Sequence, residues 1–300
     1  MTVVVAVGDS IAYGVGDVDT PCGPHTWSGR VSRLISAVNV NLGMTGAILR
    51  DVESLVPEVL AHGPDIVLVS IGGNDIVRGP FDRVEFSNRL ADCLDSFRSV
   101  GAEVVLLTVP DLSRMVQLPG LMGRALHART HAVNAALLSA AERTSTVIVD
   151  RWHDPHTYRH THLHVDRAHP SAAGFQYLAH RTLAALGLGV EFTPIVEDLA
   201  PQRRAIWIAT SGLCWVIRRF PLVVRNVVTL LRARPQPGRD CTRCDALAGE
   251  QERALTRPVM RQPNVVFLRA GDIKAHIPSP SSYQIWQVPS PAMRSPSMAD

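Results

Sequence analysis

Over roughly its first 190 residues the chain switches repeatedly between two hydrophobic periods. Residues 3–7, 38–42, 66–71, 103–109 and 147–150 are short runs rich in Val and Ile, apolar at successive positions. Runs of this kind suit strands that are covered on both faces. Between them, residues 28–37, 47–62, 84–100, 120–143 and 171–186 repeat their apolar side chains every three or four positions, as helices do. A β-α-β-α order predicts a doubly wound parallel sheet with helices on both faces. Ligands bind such sheets beyond the carboxyl ends of the strands. Reactive side chains are therefore expected just after the apolar runs.

Polar residues of the right kinds occur there. Gly8-Asp9-Ser10 follows the first run, Gly43 closes the second, and Gly72-Gly73-Asn74-Asp75 follows the third. Asp166-Arg167-Ala168-His169-Pro170 precedes the last helix. A serine nucleophile needs a base, and histidine titrates in the useful range. The histidine needs an acceptor on its other nitrogen, which an Asp three residues earlier in a tight turn can reach. The tetrahedral oxyanion needs donors: the Ser10 N–H, a glycine N–H and an asparagine amide qualify. Each part also has a plain structural reading. Asp9 or Ser10 can cap a helix, Gly43 and Gly73 can shape turns, Asn74 can form an Asx-turn, and Asp166 can begin one. The order of the four segments and their place at strand ends favour the chemical reading.

These four segments resemble the four sequence blocks of the SGNH/GDSL hydrolases, the GDSL-type esterases and lipases. Ile11 stands where leucine is commoner. Trp27-Ser28-Gly29-Arg30 and Pro64-Asp65-Ile66-Val67 agree with the same family. The resemblance covers residues 1 to about 188. It implies a flavodoxin-like three-layer α/β/α sandwich on a five-stranded parallel sheet. It also implies ester or thioester hydrolysis through an acyl-enzyme, with no cofactor and no metal. Matched position by position, it makes Ser10 the nucleophile, His169 the base and Asp166 its orienter. Ser10, Gly43 and Asn74 would form the oxyanion hole, and Asp9 and Asp75 would hold loops. An acyltransferase would use the same groups. A non-catalytic scaffold on this fold is a third reading, and the presence of every catalytic position argues against it.

The remainder of the chain has a different character. Residues 1–200 carry a net charge of −6 and residues 201–300 one of +9. The hydrolase-like domain is expected over 1–190. Residues 201–234 contain seven arginines and no acid. Val224, Val227, Val228 and Leu231 fall on one side of a helix there, opposite Arg225, Asn226, Thr229 and Arg232. Such a segment fits an anionic membrane surface, and equally a packing or dimer contact. Nucleic acid is not expected, because the basic residues alternate with aliphatics and not with stacking aromatics. Residues 235–300 are rich in Pro, Ser and Arg and read as a largely disordered tail. No apolar run is long enough to span a bilayer, and the N-terminal apolar run leads straight into the first block. A cytoplasmic enzyme is expected, with peripheral membrane contact through 201–234 as an added expectation. It would act on a small-molecule or lipid ester.

Five cysteines do not form a disulfide pattern, and Cys241-x-x-Cys244 is at most half of a zinc site. Histidines crowd residues 153–169. If 160–164 were extended, His160, His162 and His164 would share one face and offer a metal site. A solvated loop beside the active site is the preferred reading.

Overall fold

A computed structural model describes residues 1–17, 25–78, 80–117 and 119–189. The segments 201–234 and 235–300, the Cys241-x-x-Cys244 pair and most of the loop around Cys22 lie outside the described residues.

Five strands, β1 (Val3–Gly8), β2 (Val38–Gly43), β3 (Ile66–Ser70), β4 (Glu103–Leu107) and β5 (Val147–Val149), form one parallel sheet. Its order is β2-β1-β3-β4-β5, the flavodoxin-like arrangement, whose switch point lies between β1 and β3. Each expected strand is present, with ends moved by three residues at most. Seven α-helices flank or cap the sheet: α1 (Ser10–Tyr13), α2 (Trp27–Leu34), α3 (Leu49–Ala61), α4 (Arg83–Arg98), α5 (Leu112–Met115), α6 (Gly120–Arg143) and α7 (Ala172–Ala185).

Alternation along the strands divides the core into two layers. Val5, Val7, Val67, Val69, Val104 and Leu106 join Val52, Leu90, Phe97, Val133 and Leu137 from α3, α4 and α6. Val4, Ala6, Leu68, Val105 and Leu107 join Trp27, Val31, Phe175, Leu178 and Leu183 from α2 and α7. Full burial of one such side chain contributes roughly 1.5–3 kcal/mol. Trp27 is fully buried and satisfies its indole by donating to Thr182 Oγ1 at 2.9 Å. This joins α2 to α7 beneath the sheet.

Helix starts follow from short polar side chains. Thr26 accepts from the Gly29 N–H, Asp82 from Val84 and Glu85, and Ser171 from Gly174. Two 3-10 turns, Pro155–Tyr158 and His160–His162, occupy the long connection from β5 to α7. Residues 160–162 are thus not extended, so the condition for a shared face of His160, His162 and His164 is not met. His156 and His162 instead stack on Tyr177, with ring centroids 5.1 Å from it. Among the described residues, no three His, Cys, Asp or Glu side chains are grouped to hold a metal.

Candidate active site

The β1–α1 corner is built by close approach. Gly8 has φ +134°, and a Cβ there would lie 1.9 Å from the Ser70 carbonyl oxygen. Only glycine lets the end of β1 pass so near to β3. The Asp9 N–H then donates to Ser70 O at 2.8 Å. Asp9 caps α1: its Oδ1 accepts from the Ile11 N–H and from Ser70 Oγ, both at 2.9 Å. Burial pushes the Asp9 carboxyl above its usual range, opposed by those two hydrogen bonds and by the charges of His169 and Arg151. Asp9 and Ser10 thus serve together. One caps the helix and the other is presented as its first residue.

Ser10 Oγ lies 2.8 Å from His169 Nε2, across 159 positions of sequence. His169 Nδ1 lies 2.8 Å from Asp166 Oδ2. The Asp166 side chain also shapes its own turn, since Oδ1 accepts from the Ala168 N–H (2.9 Å) and the His169 N–H (3.1 Å). Between them Arg167 takes φ +57°, the left-handed region that a non-glycine residue rarely occupies. His164 Nδ1 stands 3.3 Å from Asp166 Oδ2. Burial would raise the Asp166 pKa. The hydrogen bonds from His164 and His169, the His169 charge and the Ala168 N–H outweigh it and hold the carboxyl well below its usual range. Asp166 therefore stays ionised opposite the imidazole.

An aspartate partner does not by itself single out His169. His153 Nδ1 lies 2.6 Å from Asp150, and His127 Nδ1 lies 2.8 Å from Asp111. Among these three, only the His169 ring has its other nitrogen on a serine.

Asn74 follows β3, and its Nδ2 donates to Ala47 O at 2.9 Å. That bond engages one amide hydrogen and fixes the orientation of the other. No acceptor among the described residues takes the Ser10 N–H. Gly43 is placed differently. Its N–H donates to Asn41 Oδ1 at 2.9 Å, while Asn41 Nδ2 donates to Ala12 O at 2.8 Å. In this conformation the Gly43 donor is already engaged. A Cβ on Gly43 would lie 2.3 Å from Tyr13 N, so the glycine is also needed for packing. Asp75 acts on the loops: its Oδ1 accepts the Leu49 N–H at 3.2 Å. Burial raises its pKa to about 6.

Ser10, Asn74 and His169 line a cavity of about 170 Å³, with Asp9, Gly73, Leu107, Val109, Leu112 and Arg151 among its other walls. Sequence reasoning overlooked Arg151. The available clue was an arginine beside Asp150, two residues past an apolar strand run, at the end of the sheet where ligands bind.

Fold and side chains together define an α/β protein with a serine, a histidine and an aspartate in hydrogen-bonded series at the switch point of its sheet. The chain belongs to the GDSL-like lipase/acylhydrolase family, whose sequence profile matches residues 6–177. It is 29% identical over 192 residues to a GDSL-like esterase of Mycobacterium tuberculosis, a match spanning 60% of this chain and 60% of that protein. Two solved structures share the fold. One is LAE5, an alpha/beta hydrolase enzyme from the metagenome of Lake Arreo (TM-score 0.52, 23% identity, 63% of this chain and 97% of that one). The other is a variant of an acetyl xylan esterase from Geobacillus stearothermophilus (TM-score 0.51, 22% identity, 64% and 97%). No helix among the described residues is long and apolar enough to cross a membrane.

Proposed function

We propose that the chain is a serine esterase that cleaves carboxylic esters through a covalent acyl-enzyme. The observation that carries this reading is the Ser10–His169–Asp166 series, with both links at 2.8 Å. Ser10 Oγ attacks the ester carbonyl carbon while its proton passes to His169 Nε2. The oxyanion is met by the Ser10 N–H and the second Asn74 amide hydrogen. Gly43 joins as a third donor when Asn41 Oδ1 gives up its N–H. Collapse breaks the bond to the alcohol, which leaves with the proton from His169. Water then enters, loses a proton to the same nitrogen and releases the acid from Ser10. Asp166, ionised throughout, holds the imidazole tautomer and stabilises the imidazolium.

The test is hydrolysis of short p-nitrophenyl esters by wild type, Ser10→Ala and His169→Ala, with fluorophosphonate labelling alongside. Either substitution should lower kcat by about a millionfold, and the double variant should fall no further. Label should attach to wild type and not to Ser10→Ala. Turnover that survives in Ser10→Ala would overturn the assignment. Supplying an alcohol acceptor in the same assay shows whether the acyl group passes to water or to another hydroxyl.

A further inference from the structure

Arg151 is placed within two residues of the end of β5, where it lines the Ser10 cavity and a second, smaller cavity bounded by Asp154, Tyr177 and Arg181. It is 6% exposed. Burial draws its guanidinium pKa down, and the charges opposing that shift are Asp9, Tyr158 and Asp154, in that order. Each of these groups is bonded elsewhere. Asp9 Oδ1 holds the Ile11 N–H and the Ser70 hydroxyl. Asp154 accepts from the His156 N–H and the Tyr177 hydroxyl and faces Arg181 at 3.8 Å. The Tyr158 hydroxyl accepts the Asp111 N–H and donates to Trp152 O. Among the described residues, no hydrogen bond or ion pair reaches the Arg151 guanidinium.

A buried cation with five N–H donors and no acceptor is costly, and its planar fork matches a carboxylate in two parallel hydrogen bonds. The walls of the cavity that Arg151 shares with the nucleophile include Leu107, Val109, Pro110 and Leu112, which suit methylenes. The volume of about 170 Å³ limits the acyl chain to a short one. We infer that Arg151 binds the free carboxylate of the substrate's acyl group, so that the preferred substrates are half-esters of short dicarboxylic acids. This inference rests on Ser10 being the nucleophile. Ester carbonyl at Ser10 and carboxylate at Arg151 are then held in one cavity. Hydrolysis consumes one water and yields the alcohol, the dicarboxylate and one proton.

The experiment compares two esters of 4-methylumbelliferone with acyl chains of similar length, the hemisuccinate and the butyrate. In wild type, kcat/KM should favour the hemisuccinate by roughly ten- to a hundredfold, the worth of a charged hydrogen-bond pair. Arg151→Met, which keeps the volume and removes the charge, should bring the ratio to one or below, whatever the level of butyrate turnover. Arg151→Lys should retain part of the preference, and free succinate should compete in wild type and not in Arg151→Met. Because each ratio is read within one variant, partial loss of folded protein cancels. Should Arg151→Met fail to fold, Arg151→Gln takes its place. A wild type that cleaves butyrate as well as hemisuccinate, or a preference that survives the loss of the guanidinium, overturns the proposal. Ser10-dependent butyrate turnover upholds the esterase reading whichever way the ratio falls. Absence of turnover on both esters defeats that reading and this one with it.

Discussion

The two halves of the Ser10–His169 contact are held in place by different means. On one side is the β1–α1 corner. Gly8 touches β3, Asp9 is buried and doubly bonded, and the parallel ladder runs from Val4–Ile66 to Gly8–Ser70. On the other is the β5–α7 connection, which pairs its backbone only in short turns and one isolated bridge, Leu163–Pro170, and is pinned as well by side chains bonded to backbone. Asp150 accepts the Trp152 N–H, Tyr158 donates to Trp152 O, and Ser171 donates to Thr161 O. Asp166 closes the final turn. A ladder spreads its cost over many groups, so one side-chain change barely shifts it. A web of single polar side chains makes each member matter. The nucleophile is thus set by backbone packing and the base by polar side chains.

The sharpest test of this contrast is Asp166→Asn. The amide oxygen still accepts the Ala168 and His169 N–H groups, so the turn survives, but the charge opposite the imidazole is gone. kcat should fall about ten-thousandfold, and Tm should also fall at neutral pH, where the ionised carboxylate stabilises the native state. The folded pKa of Asp166 is depressed, so its ionisation stabilises the native state above the ordinary carboxylate range near pH 4. That stability is lost as pH falls below it. Acid unfolding should accordingly be shallower in Asp166→Asn than in wild type. An unchanged kcat would show that the turn alone orients His169.

Asn74→Ala comes next, with a loss of about a hundred- to a thousandfold in kcat, the effect of one oxyanion donor. KM should hold, because the donor acts on charge that develops in the transition state. Gly8→Ala probes the corner itself. Added bulk at positive φ against the Ser70 carbonyl should cost about 3 kcal/mol in urea unfolding. Activity and stability should fall together there at every pH, whereas the stability lost in Asp166→Asn should fade as pH falls.

The smallest effect belongs to Asp75→Asn. Burial raises this carboxyl from 3.8 to about 6. A raised folded pKa favours the protonated form, so the native state is best served below about pH 4 and loses stability as pH rises through 6. The amide can keep the Leu49 hydrogen bond without the charge. Asp75→Asn should be more stable than wild type at pH 7 by on the order of 1–2 kcal/mol, and equal to it near pH 4. A variant less stable at pH 7 would mean that the ionised carboxylate has a partner the static contacts do not reveal.

What could be read from the amino acids follows the same division. Four of the five strands were legible because parallel strands in a covered sheet are largely apolar runs, β2 was legible as the alternating edge run Val38-Asn39-Val40-Asn41-Leu42, and α6 agrees to the residue. Four-residue helices such as α5 hold barely one period, so Leu112–Met115 falls outside the expected helices. The β5–α7 connection was opaque because its shape comes from short irregular backbone turns and pairwise side-chain bonds, neither of which has a period. Hence the 3-10 turn at His160–His162 and the stacking on Tyr177 were not foreseen. Ser10, Asn74, Asp166 and His169 could be found through their spacing around strand ends. The bond from the Gly43 N–H to Asn41 could not, since it depends on which way one amide turns. Arg151 was passed over because an arginine after a strand is ordinarily a solvated one.

The 159 positions between Ser10 and His169 also set an order in time. The sheet strands that carry Ser10 and Asn74 leave the ribosome well before the final helix, and N-terminal segments are the first able to fold. Until the β5–α7 connection wraps back over the sheet, Ser10 is an ordinary alcohol with no base beside it. On the proposed mechanism, a nascent chain stays silent toward esters until α7 docks against α2 through Thr182 and Trp27.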